Sequence, residues 1–205
     1  MVITSAMVKE LRDKTGAGMM DCKEALVASD GDFEKSVDHL RKKGMSAATK
    51  RSSKAAKEGA VAAYIHMGGK IGVMVELNCE TDFVAKTDDF RKMAYDLAMH
   101  VAASNPLFVK PQDIPPEYLE REKEIYRSQA QAEKKPEKIW DRIIEGKLKK
   151  YYEDVCLLQQ KFIKDTDITV ETLVNNMIAK TGENIVVRRF ARFQLGEELK
   201  HQHEN

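Results

Sequence analysis

The stretch that most limits what this chain can fold into is Glu76-Leu77-Asn78-Cys79-Glu80-Thr81-Asp82-Phe83-Val84-Ala85-Lys86. Upstream of it, residues 59–79 alternate and are rich in β-branched side chains, broken only by Gly68-Gly69. That is the pattern of a β-hairpin over 59–67 and 71–79, with the glycine pair supplying the positive φ angles of a tight turn. In its second strand Val73, Val75, Leu77 and Cys79 share one face, and Met74, Glu76 and Asn78 the other. Downstream, Phe90, Met93, Ala94, Leu97, Ala98 and Val101 keep helical spacing, with Asp88 as a cap. The stretch is therefore a joint where a strand has stopped and a helix has not begun, and Thr81-Asp82-Phe83-Val84 forms its tip. Two readings of the tip follow. Phe83 folds back as a plug on the sheet edge, as apolar side chains mostly do; or Asp82-Phe83 projects into a partner, because loops on a rigid scaffold tend to carry function.

A length of 205 residues suits one or two domains. The 34 basic and 33 acidic residues nearly cancel, so the molecule as a whole is not a polyanion binder. No apolar run approaches the ~20 residues that cross a bilayer, and Met1-Val2-Ile3 lacks the features of a secretory signal. Cys22, Cys79 and Cys156 are scattered and odd in number, as expected of reduced core thiols. A cytoplasmic location without membrane contact is expected.

Before the hairpin, residues 4–41 predict three short helices. Thr4 or Ser5 caps the first and Gly16 ends it; Cys22, Ala25 and Leu26 point inward from the second; Phe33, Val37 and Leu40 share a face of the third, capped by Asp32. Met19-Met20 either fills this small core or offers an adaptable apolar contact. Residues 41–57 carry seven basic side chains and no acid. They could bind phosphate backbones, but with no interleaved aromatic they are read as a solvated, partly helical linker.

After the signature helix, four prolines make residues 106–116 a connecting loop. Glu117–Glu133 and Glu137–Val155 then form an antiparallel helical hairpin with a narrow seam, an arm with little core of its own. Residues 157–168 are expected to form an irregular strand and loop. Thr169 caps a last helix that Gly182 closes, and Asn184–Leu195 is the last strand. The fold class is thus α+β: a small three-helix domain over 1–42, a basic linker over 43–57, and an α+β core over 58–205 with the arm, 117–155, inserted.

Neither glycine cluster is a phosphate loop. Gly68-Gly69-Lys70 is too short and lacks a following Ser or Thr, and Thr15–Gly18 lacks a preceding strand. No paired carboxylates, activated nucleophile or metal-ligand cluster stands out. The chain is expected to have no catalytic chemistry, resident metal, cofactor or small-molecule substrate. His201 and His203 could chelate a metal weakly but read as a frayed terminus.

Three segments carry a resemblance. Glu76–Lys86, with its Thr-Asp-Phe-Val core, resembles the signature segment of the bacterial translation elongation factor Ts family. Leu11-Arg12-Asp13-Lys14-Thr15-Gly16-Ala17-Gly18-Met19-Met20-Asp21-Cys22-Lys23-Glu24-Ala25-Leu26 is similar to that family's N-terminal signature, and Gly182–Phe190 to its C-terminal strand. The resemblance implies a ubiquitin-associated-like N-terminal domain that docks on a GTPase, a coiled-coil projection at the arm, and nucleotide exchange on elongation factor Tu. It assigns the wedge at the Mg²⁺ site to Thr81, Asp82, Phe83 and Val84, with further contacts from Lys9, Arg12, Met19, Met20 and Lys23. Met99–Ser104 directly follows the signature helix, so one subdomain of the family's long form is missing and this looks like the short form. A single thin sheet leaves an apolar face open, which predicts a homodimer with the sheet and last helix at its interface. Nucleic acid is expected only through the GTPase complex. The alternatives to exchange are an RNA-binding module using 41–57 and the arginines of the last strand, or an assembly scaffold indifferent to nucleotide.

Overall fold

The computed structural model describes residues 2–198; His201 and His203 lie outside them. In chain order the elements are α1 (Ser5–Thr15), α2 (Met19–Ala28), α3 (Phe33–Arg51), β1 (Glu58–Ile65), β2 (Ile71–Cys79), α4 (Asp82–Ala85) and α5 (Asp88–Ser104). They continue with α6 (Pro116–Ala132), α7 (Trp140–Val155), β3 (Lys161–Phe162), β4 (Asp165–Thr169), α8 (Val170–Thr181) and β5 (Val186–Gln194). The result is the α+β architecture expected.

Of the first three helices, α1 and α3 start on side-chain caps. The Thr4 hydroxyl accepts from the Met7 amide at 3.3 Å, and Gly16 ends α1 at φ 69°. Asp32 caps α3 through the Lys35 amide at 3.1 Å. Val8, Leu11, Cys22, Ala25, Leu26 and Leu40 form a small separate core.

The helix that the periodicity ends near residue 41 does not end there. α3 runs on to Arg51, through most of the stretch read as linker. Ala47 and Ala48 keep the helix going, and Gly44 is buried with its Cα face against the Asn175 backbone of α8. One continuous helix thus packs on α2 at its start and on α8 further along.

β1, β2 and β5 form one antiparallel sheet in that order, with β2 central. Val73, Val75, Leu77 and Cys79 of β2 are buried against Phe90, Met93, Ala94, Leu97 and Val101 of α5, and Val170, Val174 and Ile178 of α8 complete the core. At Gly59 (φ 146°) an added Cβ would overlap the Leu77 carbonyl and lie 2.7 Å from the Asn78 Cα, so only glycine lets β1 approach there. The opposite sheet face is bare: Val61, Ile65, Met74 and Phe193 are all exposed. α8 is covered by α3 and shows no large exposed apolar side chain among the described residues.

Two local expectations are corrected, and a third gains a strand. The cap of α5 is Thr87, whose hydroxyl accepts from the Phe90 amide at 3.3 Å; Asp88 is already inside the first turn, where its charge favours the helix N-terminus. The strand expected within 157–168 is one of a pair, β3 and β4, which form an irregular antiparallel ribbon. The tip Thr81–Val84 is a helical turn, not a bare loop.

In the arm, α6 packs on α7, with Ala130 and Ile144 buried in the seam. A buried relay ties the arm's base to α5. The Ile163 amide donates to His100 Nδ1 at 3.3 Å, which leaves Nε2 as the donor to Gln160 Oε1 at 2.9 Å. The Gln160 amide nitrogen donates in turn to the Asp154 carbonyl in the last turn of α7 at 2.8 Å.

Candidate functional site

Strand β2 is rigid because its inward side chains are buried and both its edges are paired. It ends at Cys79, whose thiol donates to the Thr81 carbonyl at 3.1 Å and folds the chain over. Thr81 then caps α4, its hydroxyl oxygen accepting from the Val84 amide at 3.4 Å. Ala85 is buried and Val84 packs on the main core, which anchors the far side of the turn. Phe83 alone has nowhere inside to go: it is 80% exposed. Of the two readings of this residue, the plug is excluded.

Asp82 lies beside Phe83 and is engaged within the chain. Lys86 Nζ is 2.6 Å from Asp82 Oδ2, and this ion pair holds the carboxyl below its ordinary range. Its pairing with Lys86 follows from the i, i+4 spacing on a short helix.

The base of the turn is held from far away in sequence. Glu183, just after the left-handed Gly182 that ends α8, accepts from the Glu80 amide (3.1 Å), the Thr81 amide (3.0 Å) and the Thr81 hydroxyl (2.6 Å). Glu80 Oε1 accepts from the Asn184 amide at 2.7 Å and lies 3.6 Å from Arg51 Nη1. The Asn184 side chain donates to the Lys54 carbonyl at 2.7 Å. Nothing local in the sequence announces these partners, about a hundred residues from the turn they hold; the one signal was that Gly182–Phe190 belongs to a recognisable segment.

The second group of candidates is on the three-helix module. Lys9, Arg12, Lys23, Met19 and Met20 are all exposed, Met19 at 45% and Met20 at 75%. Both methionines are thus surface side chains, not core. Lys9 and Arg12 lie one turn apart on α1, and Met19, Met20 and Lys23 lie within the first half of α2. The structure does not merge these five with the tip, but α3 links their module to it, since Arg51 at its end reaches Glu80.

The basic stretch is partly spent inside the molecule. Lys43 contacts Asp21 (2.8 Å) and Glu24 (2.6 Å), and Arg51 faces Glu80. On β5, Arg188 and Arg189 both approach Glu76, at 3.6 and 2.7 Å. Among the described residues no group of three or more His, Cys, Asp or Glu is placed to hold a metal ion, and no helix is long and apolar enough to cross a membrane. Cys22, Cys79 and Cys156 are buried free thiols, and burial raises all three above the ordinary thiol value, Cys156 to about 11.

The family model for Elongation factor TS matches residues 3–197. The chain belongs to the elongation factor Ts family. It is 80% identical over 200 residues to Elongation factor Ts of Syntrophus aciditrophicus (strain SB), a match that covers 98% of this chain and all of that relative. It is 59% identical over 196 residues to Elongation factor Ts of Moorella thermoacetica, covering 96% of this chain and 97% of the relative. For Elongation factor Ts of Heliobacterium modesticaldum the identity is 57% over 198 residues, covering 97% and 92%. These relatives are of similar length to this chain. Family membership places the chain in translation elongation.

Proposed function

We propose that this chain is a guanine-nucleotide exchange factor that acts on elongation factor Tu in the cytoplasm. The observation that carries the reading is Phe83, an exposed phenyl ring on a capped and clamped turn at the end of the central strand. A GTPase of this kind holds GDP through backbone amides, a lysine and Mg²⁺. An exchange factor needs no bond chemistry; it must bind the GTPase more tightly when nucleotide is absent. Factor and nucleotide then weaken each other equally, and each ~1.4 kcal/mol of mutual exclusion lowers nucleotide affinity tenfold.

In this mechanism Phe83 enters an apolar slot beside the Mg²⁺ site. Asp82 leaves Lys86 for a donor on the GTPase and disturbs ion coordination. Thr81 and Val84 set the backbone of the turn. Lys9, Arg12, Met19, Met20 and Lys23 dock the three-helix module on the same GTPase, and the arm of α6 and α7 offers a further contact. The test is release of a fluorescent GDP from elongation factor Tu. Phe83→Ala and Asp82→Ala are expected to slow factor-stimulated release by about tenfold or more, the loss of ~1.4 kcal/mol of coupling each. Release as fast as with the parent, from folded variants, would overturn the wedge.

The bare sheet face supports a homodimer. Val61, Ile65, Met74 and Phe193 present a contiguous apolar surface that one more copy would cover about a two-fold axis. α3 packs on α8, which favours the sheet over the last helix as the surface for this contact.

A further inference from the structure

We propose that Glu183 is the positioning residue of the Phe83 tip: from the α8–β5 turn it orients the helical turn that carries the ring without touching the partner itself. The proposal rests on the exchange reading above and adds a residue to it.

The geometry is a reciprocal clamp between two carboxylates. Glu183 Oε2 takes the Glu80 and Thr81 amides, and its Oε1 takes the Thr81 hydroxyl. Glu80 returns the contact by accepting from the Asn184 amide. Bonds with an ionised partner are roughly twice as strong as neutral ones. The Thr81 hydroxyl has a single proton. Committed to Glu183 at 2.6 Å, it leaves the oxygen's lone pair facing the Val84 amide, so Glu183 decides that Thr81 acts as a cap.

The four residues of α4 cannot sustain a helical turn alone, because nucleation is costly. Without Glu183, two amides lose their acceptor, the hydroxyl is free to rotate, and the ring samples many directions. Docking through the three-helix module would survive. What would suffer is the step that needs the ring in one orientation, since misplacement of a reacting or wedging group costs rate rather than encounter.

The test uses the full chain with two readouts. In hydrogen exchange on the free protein, Glu183→Ala is expected to speed exchange of the Glu80, Thr81 and Val84 amides by about tenfold or more. In GDP release from elongation factor Tu, the same variant is expected to lower the maximal rate by about tenfold while the half-saturating factor concentration changes by less than about threefold. Glu183→Gln keeps a carbonyl for the two amides and should restore at least half of both effects, a rescue that generic destabilisation would not produce. Should Glu183→Ala lower the melting point by more than about 5 °C, Thr81→Val, which removes the hydroxyl and leaves both carboxylates, takes its place with the same expected split. Unchanged amide protection overturns the clamp. So does unchanged release with Glu183→Ala where Phe83→Ala impairs it. If Phe83→Ala itself leaves release unaltered, the exchange reading fails, and amide protection alone decides the clamp.

Discussion

Phe83 and His100 mark the two extremes of what one side chain does here. Phe83 is 80% exposed and stabilises nothing inside the chain, so its removal should leave the melting point within about 2 °C of the parent. That keeps the release assay a test of function and not of folding. His100 is fully buried with both ring nitrogens committed. Burial holds its imidazole below the ordinary value of 6.5, against the opposing pull of Gln160. The unfolded chain takes up a proton near that value and the folded chain resists it. The contribution to stability is therefore complete above about pH 6.5 and falls as pH drops below it toward the folded value. Thermal unfolding between pH 7.5 and 5.5 should show this slope, and His100→Gln should flatten it whatever it does to absolute stability. An equal slope in both proteins would assign the dependence to other groups. A third residue, Gly59, is decided by space: Gly59→Ala should destabilise by about 3 kcal/mol or more, read as a lower denaturant midpoint, because the added methyl meets the β2 backbone.

The elements show where local chemistry suffices and where it does not. Thr87 caps α5, the helix that supports the sheet, and Thr87→Ala should cost about 1 kcal/mol, a drop of roughly 2–4 °C in melting point for a chain of this size. α3 depends on a neighbour instead. Gly44 lies with its Cα face 3.6 Å or more from the Asn175 backbone once a Cβ is added, room for a methyl but not for a branched side chain. Gly44→Leu should lift α3 from α8 and expose the boundary near Arg51 to limited proteolysis, while the release assay reports a weaker half-saturating concentration. Unchanged digestion would mean that this crossing tolerates repacking. The sequence pattern placed this helix but stopped it ten residues early. A basic, alanine-rich stretch looks the same whether it is solvated or lies against a helix more than a hundred residues away.

At the scale of the whole molecule, the near balance of charge conceals its arrangement. Lys43 and Arg51 of the basic stretch answer acids on α2 and next to the tip, and Arg188 and Arg189 of β5 answer Glu76. With 34 basic and 33 acidic residues over the chain, a salt-dependent RNA affinity is not expected. The bare sheet face carries the remaining prediction. Sedimentation at micromolar concentration should find twice the 23.3 kDa chain mass, and Met74→Glu with Phe193→Glu should return it to one. A parent that sediments only as a 23.3 kDa species would remove the dimer.

What the residues alone determined were features whose causes are local. Alternation made β1 and β2, one-turn spacing made α5 and α8, and Thr4, Asp32 and Gly182 marked helix ends because caps bond within three or four residues. The Thr-Asp-Phe-Val tip was legible as a joint for the same reason, and the family resemblance suggested the use proposed for it. Whether Phe83 pointed in or out was not legible, because a phenyl ring beside an acid satisfies either pattern. Tertiary structure decided it: Val84 and Ala85 take the buried side of the turn, and a carboxylate from the far end of the chain orders the cap. The continuation of α3, the neutral His100 relay and the Glu183 clamp were decided in the same way. Each depends on atoms that only folding brings within hydrogen-bonding or van der Waals distance.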